Sequence, residues 1–485
     1  MKEFRDSHKT DTSSIEIDFR QQYLRSLPAA GKLIHHPKVK ELLELYPKKL
    51  VMKVIRKYIE YMRSIILESE REQDLENINL SVEQFIDEIS VRVDRVWKPS
   101  MRRAINATGI ILSTSLGRAP LSKEAQESLR NVAAGYSTLA VDLETGGRGD
   151  RDVHVQELLS YLTGAEAATV ANNNAAATML ILNTLAKDKE VIISRGELVE
   201  IGGAFQLPEV VHRSGAILVE VGTTNRTHLR SYREAINENT GAILRVHQSN
   251  YRIIGFASQV PLSELVELGN EHDIPVIDDL GSGAFVDLTK YGLPEEPLVS
   301  DSVSTGADIV CFSGDKLLSG PQAGIILGKK KYIESIKKNP LARILRVGKL
   351  TLAALEATLR LYLNEDTIAE TNPTLRLLTK SLNELEGTAN TLARRLSESL
   401  GKAAIVEVVD DYSQVGGGSL PAENIPTKLI SIDFLTISVD AVARNLRKSE
   451  PPVFCRIQQE CLLLDLRTVL EDEVEALATA LENCF

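Results

Sequence analysis

No stretch of this 485-residue chain approaches the 18 consecutive apolar residues that a membrane-spanning helix needs. The amino terminus, MKEFRDSHKTDTSS, is polar and lacks the apolar core of a secretion signal. Neither a membrane span nor secretion is therefore expected. Cysteine is scarce: Cys311, Cys455, Cys461 and Cys484 show neither a CxxC pair nor metal-ligand spacing. Inert thiols in a reduced, cytoplasmic compartment account for them. No internal repeat or low-complexity segment is present. Positive charge is also short overall. The net charge of −11 argues against a nucleic-acid partner for the chain as a whole.

The charge is unevenly spread, however. Residues 1–63 hold 14 Lys/Arg against 8 Asp/Glu, and the remainder is acidic. With 43% hydrophobic and 25% charged residues, the chain has the composition of a globular protein, long enough for two or three domains. Residues 1–15 are expected to be disordered. From 19 to 67 the apolar spacing is helical, punctuated by Pro28, Pro37 and Pro47 into a small basic helical module. A charged stretch (68–77) and an amphipathic helix (81–97) lead into the main body. Between 105 and 327, β-branched runs at 168–171, 190–194, 216–221, 242–247, 275–278, 309–313 and 324–327 alternate with helical segments. Such alternation predicts an α/β domain with a largely parallel sheet. Helical stretches are predicted at 340–363 and 372–399, then a smaller α+β domain with strands at 405–409, 429–434 and 462–465 and a helix over 471–481.

Ligands of open α/β sheets sit at the carboxyl ends of the strands. There the sequence offers three features. Asn172, Asn173, Asn174 and Ala175 open a helix, where free backbone N–H groups suit a phosphate, although plain N-capping is the alternative. Asp278 and Asp279 end a strand ahead of Gly281, which suits a protonated ring nitrogen, a metal or simply a turn. Lys316 lies on a Gly/Ser-flanked turn after the run Val310-Cys311-Phe312, where a desolvated amine can form a Schiff base. His247, Gln248, Ser249 and Asn250 follow another strand and can hydrogen-bond a ring substituent. A lone loop lysine is ordinarily a solvated surface residue. Phosphate cradle, strand-end acid and lysine in this order, however, are what pyridoxal 5′-phosphate requires of a protein. The order is that of PLP-dependent fold type I, the aminotransferase-like fold.

Longer motifs make the resemblance specific. INATGIILSTSLGRAPLS (105–122), GGRGDRD (146–152), LTGAEAATVANNNAAA (162–177), VGTTNRT (221–227), HQSNYRIIGF (247–256), DDLGSG (278–283), SGDKLLSGPQAGIILG (313–328), NPLARILRVGKLTLAALEATLRLYL (339–363), PPVFCRI (451–457) and LLLDLRTV (462–469) resemble the bacterial selenocysteine synthase family. The resemblance runs from about Leu24 to the carboxy terminus. It implies a helical, tRNA-binding domain over 1–70, a linker helix over 71–104, a PLP-binding large domain over 105–350 and a small domain over 351–485. It also implies an activity: seryl-tRNA(Sec) loses its hydroxyl to give a dehydroalanyl ester, and selenium from selenophosphate is added to make selenocysteinyl-tRNA(Sec).

Matched motif by motif, the resemblance makes Lys316 the Schiff-base lysine, Asp315 its catalytic neighbour and Asp279, or else Asp278, the ring-nitrogen partner. Asn173, Asn174, Ala175 and Asn250 would bind the cofactor. Arg118, Arg343 and Arg346 would hold the phosphate of the selenium donor. Arg343 and Arg346, three apart in a predicted helix, should share one face, and guanidinium groups suit bidentate phosphate contact. Arg148 and Arg151 of GGRGDRD are expected to serve an anion or a subunit contact. A homo-oligomer, a ring of five dimers, is also implied. Ser113, Ser115, Gln206, Ser319 and Gly348 depart from the family's usual His, Asn, Arg, Gly and Asp. They leave room for a divergent donor preference or a paralogue. A second reading keeps the cofactor and changes the substrate: a PLP-dependent lyase acting on a small phosphorylated amino compound. Ser319 adds a Cβ where the turn that aims Lys316 calls for a positive φ.

Overall fold

The computed structural model describes residues 19–484 apart from Asn77, Ala204 and Ala422. The stretch expected to be disordered lies outside the described residues. The chain divides into two compact units, Met1–Arg103 and Ala104–Phe485.

The first unit is helical: α1 (Phe19–Ser26), α2 (Ala30–His35), α3 (Pro37–Leu45), α4 (Lys48–Glu68) and α5 (Val82–Trp97). In α4 the residues Val51, Val54, Ile55, Tyr58, Met62 and Ile66 recur at helical spacing and are buried together. They share a core with Phe85, Ile86, Ile89 and Val93 of α5, and the Tyr58 and Phe85 rings lie 4.9 Å apart. Ser81 caps α5 by accepting from Gln84 N at 3.3 Å. The segment expected to be a linker helix thus completes the core of the helical unit.

The second unit holds two main sheets. Its strands are β1 (Ile105–Ala107), β2 (Ala167–Ala171), β3 (Glu190–Ser194), the short pair β4 (Glu200–Ile201) and β5 (Phe205–Gln206), then β6 (Ile217–Val221), β7 (Thr240–Val246), β8 (Val276–Gly281), β9 (Ile309–Ser313), β10 (Gly324–Gly328), β11 (Ala404–Gln414), β12 (Asn424–Phe434), β13 (Val453–Gln458) and β14 (Cys461–Asp465). The large sheet runs β2-β10-β9-β8-β7-β3-β6. Strands β9, β8, β7, β3 and β6 pair in parallel, while β10 runs antiparallel to both β2 and β9. This is fold type I. The helices α6 (Lys123–Ala133), α7 (Val153–Thr163) and α8 (Asn174–Leu185) precede or follow β2, and α8 packs on β2, β9 and β10.

The second sheet, β1-β13-β14-β12-β11, is covered by the helices Leu382–Leu400, Val439–Leu446 and Val474–Glu482. Two features differ from the expected division at 350. Strand β1, at the start of the large domain, pairs in parallel with β13 near the carboxy terminus. Leu352, Leu355, Leu359, Tyr362, Leu375 and Leu378 belong to the core of the large sheet, with Phe312 and Ile325. The predicted helix over 340–363 is broken into Pro340–Ile344 and Lys349–Leu361. Leu345 and Arg346 leave the helix to meet the end of β2: Asn172 N donates to Leu345 O at 2.8 Å, and Arg346 bridges Ala171.

Candidate active site around Lys316

Lys316 lies three residues beyond β9 on a turn closed by backbone bonds. Gly314 N donates to Ala323 O (2.8 Å), Gly320 N to Gly314 O (2.8 Å) and Ser319 N to Lys316 O (2.9 Å). A Cβ on Gly314 would come within 2.8 Å of Pro321 O, so only glycine fits there. Lys316 is 4% exposed, and no hydrogen bond joins its amine to another described residue. Burial, helped by the Arg118 guanidinium, pushes its pKa down to about 8, while Asp279, Asp315 and Glu296 oppose the shift. The amine faces a cavity of about 520 Å³ that is lined also by Arg118, Asn173, Asn174, Ala175, His247, Ser249, Asn250, Asp279 and Asp315.

The two adjacent aspartates point to opposite faces of β8, as successive strand residues do. Asp279 lines the cavity. It accepts from Asn174 Nδ2 (2.7 Å), Thr178 Oγ1 (2.9 Å) and Gly281 N (3.1 Å). Burial raises its pKa against the lowering effect of these donors. Asp278 is turned away and fully buried, accepting from Arg245 Nη1 (2.8 Å) and Ser302 Oγ (2.6 Å).

At the start of α8, Asn173 does what a capping residue does: its Oδ1 accepts from Ala176 N at 2.9 Å. Asn174 spends its amide N–H on Asp279, and its Oδ1 is buried without a partner. The backbone N–H groups of Asn174 and Ala175 belong to the first turn, where a helix has no acceptor of its own to offer. Asn250 lines the cavity, but its Nδ2 donates to Glu200 O at 2.7 Å. His247 lines it too. Its Nε2 is buried without a hydrogen bond, 3.8 Å from Glu296 Oε1, and Ser282 donates to that carboxylate. Burial lowers the His247 pKa.

The three arginines separate. Arg118 Nη1 donates to Asp315 Oδ2 at 2.8 Å, within the cavity. Arg343 and Arg346 are exposed and do not line it. Only Arg343 is helical, so the expectation of one shared helix face fails where the helix ends at Ile344. The two are still near each other, with Arg148 and Arg151 beside them: the positive charges of Arg151, Arg343 and Arg148 lower the pKa of Arg346. None of the four has an ionic partner among the described residues.

One part of the lining was not anticipated. Gly416, Gly417 and Gly418, between β11 and β12, all have positive φ (73°, 63° and 76°). Gly417 and Gly418 line the cavity. A Cβ on Gly418 would lie 3.3 Å from Ser249 Oγ and 3.5 Å from Lys316 Nζ. The signal in the sequence was the run of three glycines in QVGGGSLP (414–421), which carries no reactive side chain.

A family profile described as L-seryl-tRNA selenium transferase matches residues 104–470, and one described as selenocysteine synthase N terminal matches 24–63. The L-seryl-tRNA(Sec) selenium transferase of Alkaliphilus metalliredigens is 49% identical over 460 residues, covering 94% of this chain and 98% of its own. That of Carboxydothermus hydrogenoformans is 46% identical over 463 residues, covering 96% and 98%. Among solved structures, D-glucosaminate-6-phosphate ammonia-lyase superposes with a TM-score of 0.54 at 22% identity, over 79% of this chain and 96% of that one, a likeness of fold. With its large domain and its amino-terminal segment both matched, the chain belongs to the L-seryl-tRNA(Sec) selenium transferase family.

Proposed function

We propose that the Lys316 cavity is where L-seryl-tRNA(Sec) becomes L-selenocysteinyl-tRNA(Sec), with pyridoxal 5′-phosphate as cofactor and selenophosphate as selenium donor. The observation that carries the reading is Lys316 itself: a side chain only 4% exposed that lines a cavity also holding a strand-end carboxylate and a helix N-terminus. The residues present fit the cofactor. The first-turn N–H groups of Asn174 and Ala175 suit its phosphate, Asp279 suits its ring nitrogen, and Lys316 suits its carbonyl carbon.

Bound there, pyridoxal phosphate supplies an electron sink for the charge left at the seryl Cα when its proton is removed. The protein does the rest. Lys316 would hold the cofactor, and its amine, with a pKa lowered by burial, would be placed to take the proton from the seryl Cα. Asp279, oriented by Asn174 and Thr178, keeps the ring nitrogen protonated. Gly417 and Gly418 close over the lysine without side chains and leave room for a substrate esterified to tRNA. The seryl carboxylate is esterified, so no arginine is needed to clamp it. Arg118, held ready by Asp315, receives the phosphate of the donor as selenium passes to the Cβ that the seryl hydroxyl has left as water.

Arg343 and Arg346 serve the same anion. Their place outside the cavity of their own chain suits a homo-oligomer in which neighbouring copies complete each site. The helical unit, with its basic surface, binds the tRNA. No helix among the described residues is long and apolar enough to cross a membrane, in keeping with a cytoplasmic enzyme.

The test supplies seryl-tRNA(Sec), selenophosphate and pyridoxal phosphate to the wild type and to Lys316→Ala. The wild type should show the visible absorbance of the anchored cofactor and make selenocysteinyl-tRNA, and the variant should do neither. Wild-type protein that carries the cofactor yet forms no product would overturn the activity.

A further inference from the structure

Ser319 holds a left-handed backbone, φ 60°, which disfavours any residue with a Cβ. It is nevertheless 1% exposed, and its hydroxyl is fully used. Ser319 Oγ donates to Pro120 O at 3.1 Å. It accepts from Thr374 N at 3.2 Å and from Thr374 Oγ1 at 2.9 Å. One side chain therefore joins three segments: the turn of Lys316, the loop of Arg118 and the start of the helix Pro373–Thr379.

A second join accompanies it. Arg118 reaches across to Asp315, just before Lys316 in the chain, and Ser319, just after it, reaches back to Pro120. Residues 118 and 120 are thus fastened to residues 315 and 319, with the lysine between them. Arg118 also has a positive φ, 63°, and its N–H donates to Ser113 O at 2.9 Å. The lysine turn is itself anchored to the third segment, since Asn372 Nδ2 and the Tyr362 hydroxyl both donate to Leu318 O at 3.1 Å. Of these two ties across Lys316, the ionic one must loosen when an incoming anion competes with Asp315 for the Arg118 guanidinium. The Ser319 tie involves no charge and persists.

We propose that Ser319 is a positioning residue for the anionic donor: its hydroxyl keeps the Arg118 loop registered on the Lys316 turn while Arg118 exchanges Asp315 for the donor's phosphate. This rests on the reading that Arg118 receives that phosphate. Glycine at 319 would relieve the backbone and lose the tie; alanine would lose the tie and keep the backbone penalty. A hydroxyl acting in this way and a turn residue that is merely strained therefore predict different results.

The experiment compares wild-type, Ser319→Gly and Ser319→Ala holoenzymes. Both variants should raise the KM for selenophosphate by about five-fold, the scale of one lost neutral hydrogen bond, with the KM for seryl-tRNA(Sec) and the cofactor absorbance unchanged. Amide exchange of the peptide spanning 113–120 should quicken in both, and Ser319→Gly, relieved of the backbone penalty, should be the more thermally stable of the two variants. A donor KM within about two-fold of wild type in both variants, or unchanged exchange at 113–120, would overturn the proposal. A wild-type enzyme that makes no product would overturn the activity reading instead, and the exchange comparison would still judge the tie.

Discussion

Asn174 Nδ2 donates to Asp279 Oδ1 at 2.7 Å, so the first turn of α8 and the end of β8 meet through one hydrogen bond. The group proposed to hold a phosphate and the group proposed to face a ring nitrogen are fixed relative to each other before any ligand arrives. Such a preformed spacing reduces the ordering cost of binding.

Asp278 and Asp279 should separate by experiment. Asp278→Ala leaves Arg245 buried without its carboxylate, and breaking such a pair costs about 3 kcal/mol or more of stability. Asp279→Ala should lower activity at least about a hundred-fold while unfolding closer to wild type, because no charged partner is stranded. Denaturant unfolding beside product assays checks both. Equal losses of stability would contradict the assignment.

Titration of Lys316 should appear in the stability of protein stripped of cofactor. Its folded pKa is about 8 against the ordinary 10.5. Between those values the unfolded chain binds more protons than the folded one, so stability rises with pH across the window and is flat below it. The full effect is on the order of 3 kcal/mol. Lys380, also lowered to about 8, titrates over the same range, so the comparison must be with a variant. Lys316→Met should be more stable than wild type at pH 7, and the gap should narrow by pH 10. A gap that stays constant would show that the amine is not depressed.

Arg346→Ala should raise the KM for selenophosphate several-fold and leave thermal stability unchanged, as for other exposed surface substitutions. The guanidinium is exposed and is crowded by Arg151, Arg343 and Arg148. Its removal relieves repulsion. A large loss of stability would mean that the side chain has a structural partner.

Gly418→Ala should weaken cofactor anchoring. The new methyl group would sit 3.3 Å from Ser249 Oγ and touch Lys316 Nζ, on a backbone at φ 76° that disfavours a Cβ. The visible absorbance of the holoenzyme and the affinity for added pyridoxal phosphate report the loss. Normal anchoring would remove the glycine loop from the site.

Much of the fold could be read from residue patterns. The runs at 190–194 and 309–313 are strands β3 and β9 as expected, because buried parallel strands are unbroken apolar segments. Lys316 stood out because it follows such a strand, and the Asp278-Asp279 pair because it stands near the end of one. The partners of Asp278 could not be placed, since Arg245 and Ser302 are brought to it by sheet order and packing. Nor could the break before Arg346, where the chain leaves the helix to pair with the end of β2. Gly416, Gly417 and Gly418 escaped notice because they act through lacking side chains. Ser319 showed only its strain in the sequence; its three hydrogen bonds depend on Pro120 and Thr374, which are far away in the chain.

The pairing of β1 with β13 has a consequence for synthesis. Ile105 leaves the ribosome some 350 residues before its partner Val453. At cellular rates of elongation that interval is on the order of tens of seconds. The helical unit is complete long before. A nascent chain halted ahead of β13 and β14 would therefore present a finished helical unit, while the strand that leads into the Arg118 loop still waited for its neighbour.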